Sequence, residues 1–417
     1  MERILTIILA GGMGERLQPL TLVRSKPAVP FAGKFRLIDF TLSNCINSGI
    51  RQVFVLTQYR SLSLQRHIQD GWFISGAGLG EFIYCVSAQH KSGMNWYRGT
   101  ADAIRQNLDL VKGRIDLVLI LSGDHVYKMN YGQFLNYHMS HMGCLTISAI
   151  EVKKEQAAGN LGVLEIDGDN RVVGFQEKPE EPKTIPGVPG FSLASMGIYI
   201  FDANTLIEAL NDKADDFGRE VLPAMLAKGY DMFVYNYTER NQIEDYMSEI
   251  EGGQRKEVLV TKTRDSSYWR DVGTIDSYYE ASMDLVAVDP ELSIYGRMWP
   301  LRTYQRPLPP SKCVLGSNIR DSIISDGCII SGGNIQKSIL APGVIVEKDA
   351  VIEESIIFGD VIIEPGVRIK RTIIDEESII KSNTFAGYDQ QADKLRGCTV
   401  SAGGVVVVPR NTELRNV

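Results

Sequence analysis

The sequence predicts an α/β protein: a mostly parallel sheet covered on both faces, followed by a parallel β-helix wound from hexapeptide repeats. Three observations predict it. Short β-rich apolar runs alternate with helical patterns over residues 1–285, prolines punctuate residues 286–312, and a six-residue apolar period runs through residues 313–417.

The runs Ile4 to Leu9, Val53 to Thr57, Leu117 to Leu121 and Thr146 to Val152 are nearly continuous in aliphatics, as strands buried on both faces must be. Between the early ones, Phe40 to Ser48 and Ala101 to Val111 repeat apolar residues at three and four positions, which suits one face of a helix. In such a sheet, ligands gather outside the carboxyl ends of the strands. Asp289-Pro290, Pro300, Pro307 and Pro309-Pro310 make the next stretch too rigid for a helix, and we read it as an interdomain linker. Beyond it, Ile339, Ile345, Val351, Ile357, Ile363 and Ile369 stand six apart. On an α-helix such residues would drift by roughly 120° per repeat, whereas each six-residue side of a β-helix presents one inward aliphatic. The rival is a β-sandwich with evenly spaced strands. The open ends of a solenoid call for caps or subunit contact.

Composition excludes several classes of function. A net charge of −7 over 417 residues leaves no basic footprint for nucleic acid. The six cysteines show no C-x-x-C spacing and read as free thiols of a reducing compartment. The opening run carries Glu2 and ends in Gly11-Gly12, so it reads as a buried first strand rather than a secretory leader. No apolar stretch approaches the roughly 20 residues of a membrane-spanning helix, and a soluble cytoplasmic protein is expected.

The first strand runs into Leu9-Ala10-Gly11-Gly12-Met13-Gly14-Glu15-Arg16-Leu17. A glycine-rich turn after a buried strand lets main-chain N–H groups approach phosphate oxygens. A dinucleotide fingerprint would need a third glycine at Leu17 and a P-loop would need Gly-Lys-Ser/Thr; both are absent. Arg16 and Lys26 place two cations close behind the turn, which favours an anionic ligand. Asp124 ends the strand Ile120-Leu121-Ser122-Gly123-Asp124-His125, where a carboxylate serves either a hard divalent cation or a turn. Asp271, in Tyr268-Trp269-Arg270-Asp271-Val272-Gly273-Thr274, is a second metal candidate or half of a structural ion pair. Lys178, in Phe175-Gln176-Glu177-Lys178-Pro179 after a hairpin signal at Gly168-Asp169-Asn170, is a sugar-phosphate anchor or a solvated strand-edge charge. Gly162 and Ser195 offer close backbone approach and a hydroxyl. His138 and His141 have helical spacing but no neighbouring carboxylate, and G-x-S-x-G is absent.

With Lys26-Pro27-Ala28-Val29-Pro30-Phe31, Gly33 to Phe40, Leu42 to Gly49, Asn95-Trp96-Tyr97-Arg98-Gly99-Thr100-Ala101-Asp102 and Met298 to Tyr304, the chain resembles the bacterial ADP-glucose pyrophosphorylases over nearly its whole length. The resemblance implies a Rossmann-like nucleotidyltransferase domain joined to a left-handed β-helix, in a homotetramer with regulatory sites between domains. It implies that ATP and glucose 1-phosphate are converted, with Mg²⁺, to ADP-glucose and pyrophosphate for glycogen synthesis. Carried over by motif, Tyr97, Gly162, Glu177, Lys178 and Ser195 hold glucose 1-phosphate. Leu9, Ala10, Gly11, Gly12, Gly14, Arg16, Lys26, Gly99, Thr100 and Asp124 surround the nucleotide, and Gln89 meets its base. Arg16, Lys26 and Asp124 are the catalytic groups, Asp124 and Asp271 hold Mg²⁺, and Gln58 and Trp96 couple phosphorylated-metabolite effectors to the site. Two departures stand out. Val23 occupies the place where enteric members carry an activator-binding lysine, and the charged segment between Thr238 and Ser267 is long enough to be a surface insertion.

Overall fold

A computed structural model describes residues 3–72, 77–88, 96–113, 115–211, 213–251 and 254–416. Nine strands build the main sheet: β1 (Ile4–Ala10), β2 (Gln52–Thr57), β3 (Phe82–Ser87), β4 (Leu117–Ser122), β5 (Leu145–Lys153), β6 (Val163–Ile166), β7 (Val172–Gln176), β8 (Phe191–Asp202) and β9 (Met232–Asn236). Their order is β7-β6-β8-β4-β1-β2-β3, with β5 pairing to β8 and β9. The sheet is parallel from β3 through β4 and antiparallel from β8 outward to β7. Ile8, Val55, Leu119 and Leu121 pack into one core while Ile7, Val118 and Ile120 pack into another on the opposite face. That two-sided burial is why these runs read as unbroken apolar stretches.

Four helices matter for the site: α1 (Leu37–Asn47), α2 (Leu62–Gly71), α3 (Thr100–Arg105) and α4 (Ile275–Asp284). The helical pattern of Ala101 to Val111 is realised in two pieces, α3 and a 3-10 turn at Leu108–Leu110. The break falls at Asn107, whose side chain donates back to Ala103 O at 2.8 Å and across to Tyr97 Oη at 3.0 Å. Asparagine is apt to trade the helical ladder for such local bonds.

Residues 286–311 of the proline-punctuated stretch carry no helix or strand and run along α1, and Lys312 opens the first solenoid strand. Trp299 Nε1 donates to Asn44 Oδ1 at 2.9 Å, Asn47 Nδ2 to Pro300 O at 3.0 Å, and Thr303 Oγ1 to Asp39 Oδ2 at 2.7 Å. Beyond it, three sheets of six, five and six short strands wind a solenoid, parallel except where Thr399–Val400 meets Val406–Val408. A β-sandwich is thereby excluded.

The inward register differs from the six-spaced series. Successive coils carry Ile329 onto Ile345, Ile362 and Ile379, so each turn takes sixteen or seventeen residues instead of eighteen. At least one side of each coil is therefore short, and a strict period of six slips out of phase. Ile357, Ile363 and Ile369 do point inward, but Val346 and Ile352 fill the core where Ile345 and Val351 were expected. Ile339 faces outward and packs against the first domain. There it joins Val29, Phe31, Tyr278, Phe358, Ile373 and Val405 in one apolar cluster shared by both domains.

The charged segment between Thr238 and Ser267 holds a hairpin, Asp245–Glu251 and Gln254–Val260, which forms a two-stranded sheet of its own. Among the described helices, none is long and apolar enough to cross a membrane.

Candidate active site

The carboxyl ends of β1, β2 and β4 open into a cavity of about 580 Å³. Its floor is the glycine-rich turn. Gly14 has φ 65°, a region that side chains other than glycine's rarely adopt, and a Cβ there would lie 3.0 Å from Lys26 Cβ. Thr21 Oγ1 donates to Gly14 O at 2.8 Å, so the turn is folded back on the segment that carries Lys26.

Lys26 begins a short 3-10 helix whose next residue, Pro27, fixes the backbone. Its Nζ lies 3.0 Å from Asp124 Oδ2 and 2.9 Å from Asp271 Oδ1. Burial alone would lower the Lys26 pKa, but Asp124 and Asp271 together raise it above the ordinary lysine value. Burial would likewise raise the Asp124 carboxyl, yet Lys26, His125 and the Ser122 hydroxyl that donates to it hold it well below the usual range. Asp271 is lowered in the same way, chiefly by Lys26 against its own burial. Asp124 is placed by the turn after β4, where Gly123 N donates to Leu9 O at 3.1 Å. Asp271 arrives from far along the chain through a two-stranded ribbon, Trp269–Asp271 against His125–Tyr127, that sets it opposite His125.

These carboxylates are a hard, anionic oxygen pair facing one point, a donor set that fits Mg²⁺. No group of three or more His, Cys, Asp or Glu suited to a metal occurs among the described residues, so phosphate and water oxygens would complete the coordination. Arg16 lines the same cavity and makes no ion pair among the described residues.

The opposite wall holds Gly162, Glu177, Lys178 and Ser195. Ser195 N donates to Gly162 O at 2.8 Å, and the β8–β5 register shifts between Ser195 and Ile198, a bulge that re-aims the Ser195 side chain. Burial pushes the Glu177 carboxyl up, Lys178 opposes this, and Asp216 adds to it. Lys178 has φ 47° just before Pro179, and its half-exposed Nζ stands 4.0 Å from Glu177 Oε1. That spacing leaves the ammonium available to a ligand.

On the third side, Gln58 clamps the Tyr97 main chain: its Oε1 accepts from Tyr97 N while its Nε2 donates to Tyr97 O at 3.3 Å. Gly99 precedes α3, and a Cβ there would overlap the main-chain oxygen of Asp215, which accepts from Ala101 N at 2.9 Å. Thr100 Oγ1 donates to Asp216 Oδ2 at 3.2 Å.

Leu9, Gly11, Gly12, Arg16, Lys26, Gln58, Tyr97, Gly99, Thr100, Asp124, Gly162, Glu177, Lys178, Ser195 and Asp271 thus share one cavity. Ala10 is turned into the core beneath it, Gly14 stands behind the turn against Lys26, and Trp96 is exposed beside Tyr97 without reaching the wall. Gln89 lies outside the described residues. Sequence reasoning passed over Asp216, His125 and Trp269, which also line the cavity. For Asp216 the available signal was local: its side chain accepts from Arg219 N at 3.0 Å, capping the helical stretch that follows.

Comparisons with known proteins agree with this architecture. The nucleotidyl transferase family model matches residues 5–287, and the model of the GlmU-like C-terminal hexapeptide matches residues 309–408. The chain is 43% identical to a glucose-1-phosphate adenylyltransferase of Rhodopirellula baltica, over 98% of this chain and 90% of that protein. It is 45% identical to one of Methylococcus capsulatus, over 98% and 94%, and 44% identical to one of Alteromonas mediterranea, over 97% and 91%. With matches of this extent in both of its parts, the chain belongs to the glucose-1-phosphate adenylyltransferase family of nucleotidyl transferases.

Proposed function

We propose that this protein transfers the adenylyl group of ATP to α-D-glucose 1-phosphate, forming ADP-glucose and releasing pyrophosphate, the activation step of α-glucan synthesis. One observation carries the reading: Lys26 is held between Asp124 and Asp271 in a cavity whose opposite wall presents Glu177, Lys178 and Ser195.

The phosphate of glucose 1-phosphate is already anionic near neutral pH, so its oxygen attacks the α-phosphorus of ATP without a general base. The α–β phosphoanhydride bond breaks and pyrophosphate leaves. Such a reaction asks the protein for positioning and for fixed positive charge where negative charge accumulates. Arg16 and Lys26 supply that charge beside main-chain N–H groups of the glycine-rich turn. Lys178 holds the sugar phosphate, with Glu177, Ser195, Gly162 and Tyr97 ordering the sugar. Mg²⁺, held by Asp124 and Asp271, would neutralise phosphate oxygens during the transfer. The proposal extends to a cytoplasmic homotetramer that answers to phosphorylated metabolites. The grip of Gln58 on Tyr97 supports a coupling route through Gln58 and its neighbour Trp96.

The test is pyrophosphate release by the pure chain with Mg²⁺ and glucose 1-phosphate, given ATP, UTP, dTTP or GTP in turn. Turnover with ATP well above the rest is expected. A preference for another base, or no release with any nucleotide, overturns the assignment.

A further inference from the structure

We propose that Asp375, on the β-helix, is a positioning residue for the phosphate-transfer site, holding the Arg24–Lys26 segment so that Lys26 meets Asp271 and Asp124. This inference rests on the reading of that site given above.

Arg24 stands two residues before Lys26, and its guanidinium is buried. Its Nη1 lies 2.9 Å from Asp375 Oδ1 and 3.1 Å from Oδ2, and its Nη2 lies 2.9 Å from Glu376 Oε2. The same Nη1 donates to Leu20 O at 3.2 Å, tying in the preceding loop. The carboxylates are themselves fixed by the solenoid. Asp375 N donates to Val408 O at 3.0 Å, Asp375 Oδ1 accepts from Glu376 N at 2.7 Å, and Arg410 approaches Glu376 at 3.5 Å. Through Ser25, and through Thr21 on Gly14, this anchor is continuous with both Lys26 and the glycine-rich turn.

Asp271 is braced on the same body. The ribbon that carries it leads straight into α4, where Asp276 accepts from Gly403 N at 3.0 Å and Tyr279 Oη donates to Glu354 O at 2.7 Å. Two of the three charges that meet at Lys26 Nζ therefore reach the site from segments fastened to neighbouring coils. Glu177 and Lys178 hang instead from the end of β7, at the far edge of the sheet.

A buried ion pair is a weak source of stability because desolvation offsets much of the attraction. Burial indeed pushes the Asp375 carboxyl up, with Arg24 pulling it back only in part. A guanidinium fork on two adjacent carboxylates does fix direction as well as distance, and direction is what Lys26 needs.

The experiment compares wild type, Asp375→Asn and Asp360→Asn by steady-state kinetics and thermal unfolding. Asp360, on the solenoid, pairs instead with Arg306 of the proline-punctuated stretch at 2.7 Å. We expect Asp375→Asn to lose roughly tenfold or more in kcat, as small misplacements of reacting groups do. Its half-saturating Mg²⁺ concentration should rise while KM for glucose 1-phosphate stays at the wild-type value, and Asp360→Asn should match wild type throughout. Unchanged kcat and Mg²⁺ dependence in a folded Asp375→Asn overturns the inference, as does a loss of every constant in step with the folded fraction. Should Asp375→Asn fail to fold, Arg24→Lys is read against the same criteria, since an ammonium keeps the charge but cannot engage both carboxylates. Absence of turnover in wild type sinks the reading of the site itself; active wild type with a normal Asp375→Asn sinks the brace alone.

Discussion

Lys26 Nζ lies 3.0 Å from Asp124 Oδ2, a contact between the turn after β4 and a segment that follows the glycine-rich loop. Removing the carboxylate leaves Lys26 paired with Asp271, so the fold should survive. Asp124→Ala should lower kcat by roughly 10²- to 10³-fold, the usual cost of losing one preorganised charge. Far-UV circular dichroism at the wild-type value alongside steady-state rates checks the two halves of this statement.

Lys178 is half exposed, and its nearest carboxylate, Glu177, is 4.0 Å away. Nothing in the fold depends on so loose a pair. Lys178→Ala should therefore keep its melting temperature and kcat within a few-fold while KM for glucose 1-phosphate rises roughly tenfold or more, the signature of lost ground-state binding. A titration of initial rate against glucose 1-phosphate at saturating ATP decides it.

Glu177 is raised by burial, with Asp216 adding to the effect against Lys178. A carboxyl raised in the folded state carries no penalty below the unfolded pKa of about 4.3, where it is protonated in both states. The penalty builds as pH climbs from there towards the folded value. Glu177→Gln should consequently melt close to wild type at low pH and gain on it as pH rises above that unfolded value. Paired thermal melts across that range, ligand-free, measure the sign.

At Gly99 a Cβ would meet the main-chain oxygen of Asp215, and main chain cannot swing aside as a side-chain tip does. Gly99→Ala should cost about 1–3 kcal/mol of stability through overpacking. Because the displaced loop carries Asp216, whose carboxylate accepts from Thr100, affinity for nucleotide should fall with it. Urea unfolding and the KM for ATP report the two effects.

Much of the site was visible before any coordinates. Gly11, Gly12, Asp124 and Lys178 each sit at a strand end or just past it, and strand ends can be read from local apolar periodicity. Asp216 is legible only as a cap; its place in the cavity is not, because its short capping stretch lies far in sequence from Thr100, the side chain it meets there. The solenoid is legible as a period but not in phase. A coil of sixteen or seventeen residues keeps a spacing of six only along its full-length sides, and only the stacking of Ile345 on Ile329 and Ile362 shows which neighbour turns inward.

What the chain determined alone was local: which runs are strands, which turns carry glycine, and which charged residue types stand at strand ends, since period and turn chemistry act over a few residues. What tertiary structure decided was convergence. The meeting of Lys26 with Asp271, the clamp of Gln58 on Tyr97 and the hold of Asp375 on Arg24 join distant residues. Their geometry depends on how two cores pack against each other, which no window of sequence contains.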